Sequence, residues 1–446
     1  MKRPIVRFVR PFLAMTTVLC LPAVFNQWPL VYSDTGTYLS SGADWGTPPD
    51  RPITYGLFLR ATALAAGTPW MAVLVQAALC AAVIIRCFQC LAGDAGDRHV
   101  LTVVTILSMG SGLGWSASML LPDVFTGTGI VIVLLLMLAG DGRVWDLFLF
   151  LALVFITTVH LSHPMILLAV WMAGLLLIRP ILRWRSWLPP LAIITGMALL
   201  ASVNLRLTGR FELSSGSDLF LLGRTLEIGL LQEELPGLCA TSSNFLCGDL
   251  QKLPSDHRML LWDPEGPVQQ AGGWHAVRSD AAMIVDQVLF SPVGIWAFLK
   301  AGLRDGLEQL TMLGSSAALT DPWYRVPESS PARSVHLYLS GSYPGYLGSR
   351  QNTDRLHPTF FDDLQIAVLA CSLIAGLWLY RRWPVSRRLL AWSLVSAMLA
   401  AVLCAMLSTP DQRFLSRVSW VPCLVVGCML ASRSRSSEQT IAHAVP

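Results

Sequence analysis

Apolar residues fill long unbroken blocks of this chain, and polar residues gather at the joints between them. Ten such blocks lie near 11–31, 69–91, 100–119, 124–140, 145–161, 164–180, 187–206, 364–380, 389–408 and 414–431. Each is close to the roughly 20 residues an α-helix needs to cross about 30 Å of hydrocarbon. The blocks are continuous rather than alternating, which excludes spanning strands. The pattern predicts an all-α polytopic membrane protein with about ten transmembrane helices.

One long stretch interrupts the pattern. Between 207 and 363 the composition turns acidic, with Asp218, Glu227, Glu233, Glu234, Asp249, Asp263 and Glu265 among prolines and glycines. Helical spacing persists inside it. Ala281, Ile284, Val285 and Val288 share one face, and Ser291-Pro292 opens a stripe of Ile295, Leu299, Leu303, Leu307 and Leu310 suited to a membrane surface. The expected organisation is an N-terminal transmembrane module over 1–206, a mainly helical insertion over 207–363, and C-terminal transmembrane helices over 364–432. A disordered tail is expected over 433–446.

Composition narrows the class. The chain is 54% hydrophobic and 13% charged, against about 25% charged in soluble domains. Intrinsic disorder, a nucleic-acid module and a disulfide-rich secreted scaffold are excluded. The net charge of +4 says little about partners, because the basic residues follow topology. Lys2, Arg3, Arg7 and Arg10, then Arg179, Arg183 and Arg185, then Arg381, Arg382, Arg387 and Arg388, and last Arg433 and Arg435 fall on one side if the span count is even. By the positive-inside rule that side, with both termini, is cytoplasmic, and the insertion faces the periplasm. The basic start and apolar run from Phe12 resemble a signal peptide but lack an A-x-A site, so the segment is read as a retained span. Lysine occurs only at 2, 252 and 300, and no N-x-[ST] sequon is present; both lean towards a bacterium with a GC-rich genome, which makes the membrane a bacterial inner membrane.

Most cysteines fall in or beside the apolar blocks, where a free thiol packs as a small apolar group. Cys239 and Cys247 stand apart in the insertion, and an oxidising compartment points to a disulfide between them.

The polar residues that need explaining sit where blocks end on the exported side. They are Asp34 and Tyr38, then Asp50, Arg51 and Tyr55 in the first loop (about 32–56), Asp123 after Pro122, His160 and His163, and Asp411 with Arg413. Each has a plain alternative. Asp34 and Asp123 can cap helices, Asp50 and Arg51 can neutralise each other, the histidines can be satisfied interfacial residues, and Arg413 can pair with Asp411 or a headgroup. Their gathering on one face is what a membrane-surface active site needs. A sugar on a lipid phosphate has a good leaving group, so its transfer requires one carboxylate as base and cations on the phosphate. Glycoside hydrolysis instead needs two carboxylates astride the bond.

The run Tyr32-Ser-Asp34-Thr-Gly-Thr-Tyr38-Leu after the first block resembles the acidic first-loop motif of the GT-C glycosyltransferases. That superfamily includes protein O-mannosyltransferases and lipid A aminoarabinose transferases. Asp50-Arg51-Pro52-Ile-Thr-Tyr55-Gly-Leu-Phe is similar to its charged-then-proline signature, and Leu-Pro-Asp123 to its second acidic position. The resemblance covers mainly 28–170. It implies a catalytic base at Asp34, donor-phosphate contacts from Arg51 with support from His160, His163 and Arg413, and a second acid or metal ligand at Asp123 or Asp50. Tyr38 and Tyr55 would contact substrate. The implied reaction is inverting transfer from a polyprenyl-phosphate sugar to a lipid, glycan or protein acceptor. A shared divalent ion, Mg²⁺ or Mn²⁺, between Asp34 and Asp123 suits carboxylate oxygen. Two other readings are an O-antigen ligase or polymerase using a polyprenyl-diphosphate donor, and a lipid or glycan transporter. A transporter would place its polar groups nearer mid-membrane.

Overall fold

A computed structural model describes residues 4–93, 95–138, 142–178, 183–248, 253–382 and 384–432. The expected tail over 433–446, with Lys2, Arg3, Arg179, Asp249, Lys252, Arg433 and Arg435, lies outside the described residues. The chain is all-helical, and a short parallel bridge between Leu30 and Met119 is the strand-like pairing among the described residues.

Helices occupy every apolar block. They are α1 (Pro4–Leu19), α2 (Thr35–Asp44), α3 (Trp70–Ala92), α4 (Asp97–Gly110), α5 (Asp123–Leu138), α6 (Arg143–Val159), α7 (His163–Leu177) and α8 (Leu188–Thr208). There follow α9 (Ser217–Glu227), α10 (Arg278–Val288), α11 (Pro292–Gln309), α12 (Ser330–Tyr338), α13 (Thr359–Arg382), α14 (Pro384–Leu407) and α15 (Gln412–Ser432). Shorter helical turns lie between them.

Ten full spans do not result. Among the described residues five helices are long and apolar enough to cross a membrane: Trp70–Ala92, Trp184–Thr208, Thr359–Arg381, Arg387–Leu407 and Gln412–Ser432. A sixth is added only if α10 and α11, bent by 91°, count as one. The physical reasons are local. α1 stops at Leu19, and Pro22 opens the short helix that follows, because proline brings no N–H to a continuing helix. α4 stops where Ser111 turns extended (φ −148°, ψ 176°). At the next residue, a Cβ on Gly112 would lie 2.1 Å from the Ser416 carbonyl, so the approach of α15 requires glycine there. α7 has 15 residues, short of the roughly 20 a full crossing takes.

The long insertion is two things. Leu219, Leu222, Leu231, Leu260, Ile284 and Val285 belong to a separate apolar core. Leu319, Tyr324, Val335, Tyr346 and Leu356 instead bury into the same core as the membrane helices. This second part braces the first loop. Gln351 Oε1 accepts from Val31 N (3.0 Å) and its Nε2 donates to Val31 O (2.9 Å), while Gln351 N donates to Asn26 Oδ1 (2.7 Å). A Cβ on Gly36 would meet the Ser330 carbonyl at 2.2 Å, so α2 and α12 touch backbone to backbone. From beneath, Leu30 N donates to Ser118 O and Leu120 N to Leu30 O, each at 2.9 Å. The first loop is thereby stitched to the turn that carries Asp123.

Candidate active site

Arg51 sits between two carboxylates. Its Nη1 lies 3.0 Å from Asp34 Oδ1 as an ion pair outside hydrogen-bond geometry, and its Nη2 donates to Asp50 Oδ2 at 2.5 Å. The guanidinium carbon is 5.2 Å from the centroid of the Tyr38 ring, within cation–π range. Burial opposes the charge on Arg51, but Asp34 and Asp50 outweigh it and hold the group well above its ordinary value. The three differ in access: the Asp34 side chain is 30% exposed, Arg51 12% and Asp50 8%. Arg51 was expected to hold a donor phosphate; here both ends of its fork already face carboxylates.

A second charged group lies against the first. Asp123 begins α5 and is buried, with Oδ1 accepting from Arg417 Nη1 at 2.8 Å. Its Oδ2 lies 3.6 Å from Arg413 Nε, and neither atom has a hydrogen-bond partner among the described residues. Arg413 stacks over the Tyr32 ring at 4.1 Å. The Nη atoms of Arg413 make no hydrogen bond to any described residue, and the side chain is 15% exposed. Tyr32 joins the two groups. Arg413 draws its phenol down, but burial with the carboxylates of Asp411 and Asp34 outweighs this and leaves it above its ordinary value. The turn carrying Arg413 is held from α11, where Gln309 Nε2 donates to Asp411 O and Asp411 N donates to Gln309 Oε1, each at 2.9 Å.

The histidines divide. His163 is fully buried, with Nδ1 2.7 Å from Ile156 O and Nε2 2.9 Å from Thr126 Oγ1. The carbonyl must accept, so Nδ1 carries the proton and Nε2 accepts from the threonine. No ring nitrogen remains for a phosphate, which corrects the expectation for His163. His160 stacks on it with centroids 5.2 Å apart, and its Nδ1 lies 2.9 Å from Ser162 Oγ. Tyr38 and Tyr55 were expected to contact substrate. Both are buried, 2% and 0% exposed, with rings 4.9 Å apart edge to face, and the Tyr55 hydroxyl donates to Gln76 Oε1 at 3.1 Å. Tyr38 lies under Arg51, and Tyr55 packs against Tyr38.

A divalent ion shared by Asp34 and Asp123 does not fit this arrangement, because arginines already lie against both carboxylates. The group of ligating side chains that does converge among the described residues is Glu227, Asp256 and His257, outside this cluster. Its closeness includes a 2.5 Å contact between His257 Nδ1 and Glu227 Oε1, which is an ordinary pair. Cys239 and Cys247 are joined as a disulfide.

Arg417 is the residue that sequence reasoning passed over. Its signal was present, since an arginine inside a 21-residue apolar helix is costly and faces a partner or a cavity, and it lies one turn after Arg413.

These features define an all-helical membrane protein with an ion-pair cluster where helix ends and the first loop meet. Comparisons with protein-family models, with curated proteins and with solved structures give no match.

Proposed function

We propose that the chain is a membrane glycosyltransferase that moves a sugar from a polyprenyl-phosphate donor to a hydroxyl on a lipid, glycan or protein acceptor, on the periplasmic face of a bacterial inner membrane. The observation that carries the reading is the contrast within the cluster. Asp34 is the most exposed of the three carboxylates that lie against arginine side chains there, at 30% beside Asp50 at 8% and Asp123 at 3%. Arg413 is the guanidinium that lies 3.6 Å from one carboxylate, Asp123, where Arg51 lies between two. In this reading Asp34 takes the proton of the acceptor hydroxyl as its oxygen attacks the anomeric carbon. The bond to phosphate breaks with inversion, and the departing phosphate monoester is held by Arg413. A leaving group of that kind needs no protonation, so a single carboxylate acting as base suffices. General-base help is worth about 10²–10⁴-fold, and positioning with charge stabilisation supplies the remainder. Arg51 and Asp50 act as positioning residues that fix the Asp34 carboxylate. Arg417 holds Asp123, and Asp123 in turn fixes Arg413.

The test is the lipid-linked sugar profile of cells lacking the protein. One polyprenyl-phosphate sugar should accumulate and so identify the donor. An unchanged profile would contradict the reading, and accumulation of a polyprenyl-diphosphate glycan would favour the ligase or polymerase alternative.

A further inference from the structure

An apolar groove opens between α13, α14 and α15, at a distance along the chain from every residue of the candidate active site except those of α15. It encloses about 340 Å³ and is lined on α13 by Leu369, Leu373, Gly376 and Tyr380, and on α14 by Leu390 and Leu394. Pocket volumes for ligands begin at about 300 Å³. The lining follows helical spacing. On α13 the positions step by three or four from 369 to 380, and on α14 the groove face continues back from 394 and 390 to Arg387. Arg387 is therefore on the groove side of α14, and the contacts agree. Its Nε donates to Tyr380 O at 2.9 Å, and its guanidinium carbon lies 5.4 Å from the Tyr380 ring centroid. Arg381 and Arg388 are exposed at the same end. A cleft with hydrocarbon walls thus ends in arginines where the two helices turn.

We infer that this groove binds an anionic phospholipid, with one acyl chain between α13, α14 and α15 and the phosphate at Arg387 and its neighbours. The surroundings favour that occupant over a protein partner. Only 11% of the α13 span is buried inside the protein; Ile374, beside the groove, is 71% exposed, and Leu377, which lines it, is 54% exposed. In an apolar spanning helix, such a surface meets lipid. Charge selects which lipid. A basic pocket between transmembrane helices recognises anionic headgroups, at roughly fivefold per arginine near the surface. Arginine suits the role because its planar fork takes two phosphate oxygens at once.

Native mass spectrometry of the full chain tests this, with phosphatidylglycerol and phosphatidylcholine of identical acyl chains offered together. The wild type should retain phosphatidylglycerol over phosphatidylcholine by roughly 25-fold, two arginines at roughly fivefold each. The pair Arg387→Gln and Arg388→Gln should erase the preference and leave weak, unselective lipid retention. Gly376→Leu should reduce retention of both lipids, since a Cβ there already meets Val426 and Leu390 at 3.4 and 3.6 Å and a longer side chain enters the groove. Equal retention of the two lipids by the wild type would overturn the proposal. So would a preference that survives the arginine pair, or one that inorganic phosphate alone abolishes. Stronger retention of an added polyprenyl phosphate than of phosphatidylglycerol would also overturn it. If Gly376→Leu fails to insert, the arginine pair alone decides.

Discussion

Two guanidiniums in the cluster differ in what surrounds them. Arg51 lies between Asp34 and Asp50, whereas Arg413 stacks on Tyr32 and lies 3.6 Å from Asp123. Their lysine variants should therefore fail differently. Arg413→Lys keeps the charge and loses the planar fork. It should raise KM for the donor by roughly 10–100-fold, the worth of a hydrogen bond to a charged group, with a smaller change in kcat. Arg51→Lys should lower kcat more than it raises KM, because it loosens Asp34. Steady-state kinetics on the purified chain separates the two, and an equal effect on KM from both would remove the distinction. Arg417 is a structural test. Replacing it with methionine leaves the Asp123 carboxylate buried without its main partner, a loss of about 3–5 kcal/mol. Adding Asp123→Asn should recover much of the stability in a thermal unfolding assay; no recovery would mean that the pair is not what holds the two helices.

Helices were foreseeable because apolar length is written directly in the residues, and each apolar block does contain one. Where they break was not. Gly110-Ser111-Gly112 looks like the middle of an apolar run, and the approach of Ser416 that demands glycine at 112 comes from a helix some 300 residues later. The division of the insertion was equally hidden. Val335 and Tyr346 sit in a polar stretch with no apolar block around them, and their place in the main core depends on contacts with residues some 300 positions earlier, as the Gln351 bonds to Val31 illustrate. The same holds for the site. Charges at the ends of apolar blocks announce themselves because they are costly to bury, so the participating connections could be named. Which charge meets which could not, since Asp123 and Arg417 are 294 residues apart. The pairing of Cys239 with Cys247 was foreseeable because no other cysteine lies near them in the sequence. Replacing both with serine should loosen that short loop by up to about 2–3 kcal/mol in the chain-entropy picture. Limited proteolysis should then cut near 240–247 while the membrane helices stay intact; an unchanged cleavage pattern would count against it.

For the whole molecule the decisive matter is which side the cluster faces. The arginine distribution predicts that reporters fused after residues 45 and 410 act on the periplasmic side and those after 95, 184 and 385 on the cytoplasmic side. A cytoplasmic signal after 45 or 410 would place the cluster away from a periplasmic donor. The central claim is narrower and concerns Asp34. Asparagine keeps the size of the side chain and most of its hydrogen bonding, and it serves as well as aspartate in a turn, but it cannot take a proton. The most direct measurement is the lipid-linked sugar profile of cells whose only copy carries Asp34→Asn, with the inserted protein quantified in the same membranes. The account predicts normal insertion and a fall in turnover on the order of 10²–10⁴-fold, seen as the same single polyprenyl-phosphate sugar that accumulates when the protein is missing. A normally inserted Asp34→Asn protein with a wild-type profile would contradict it.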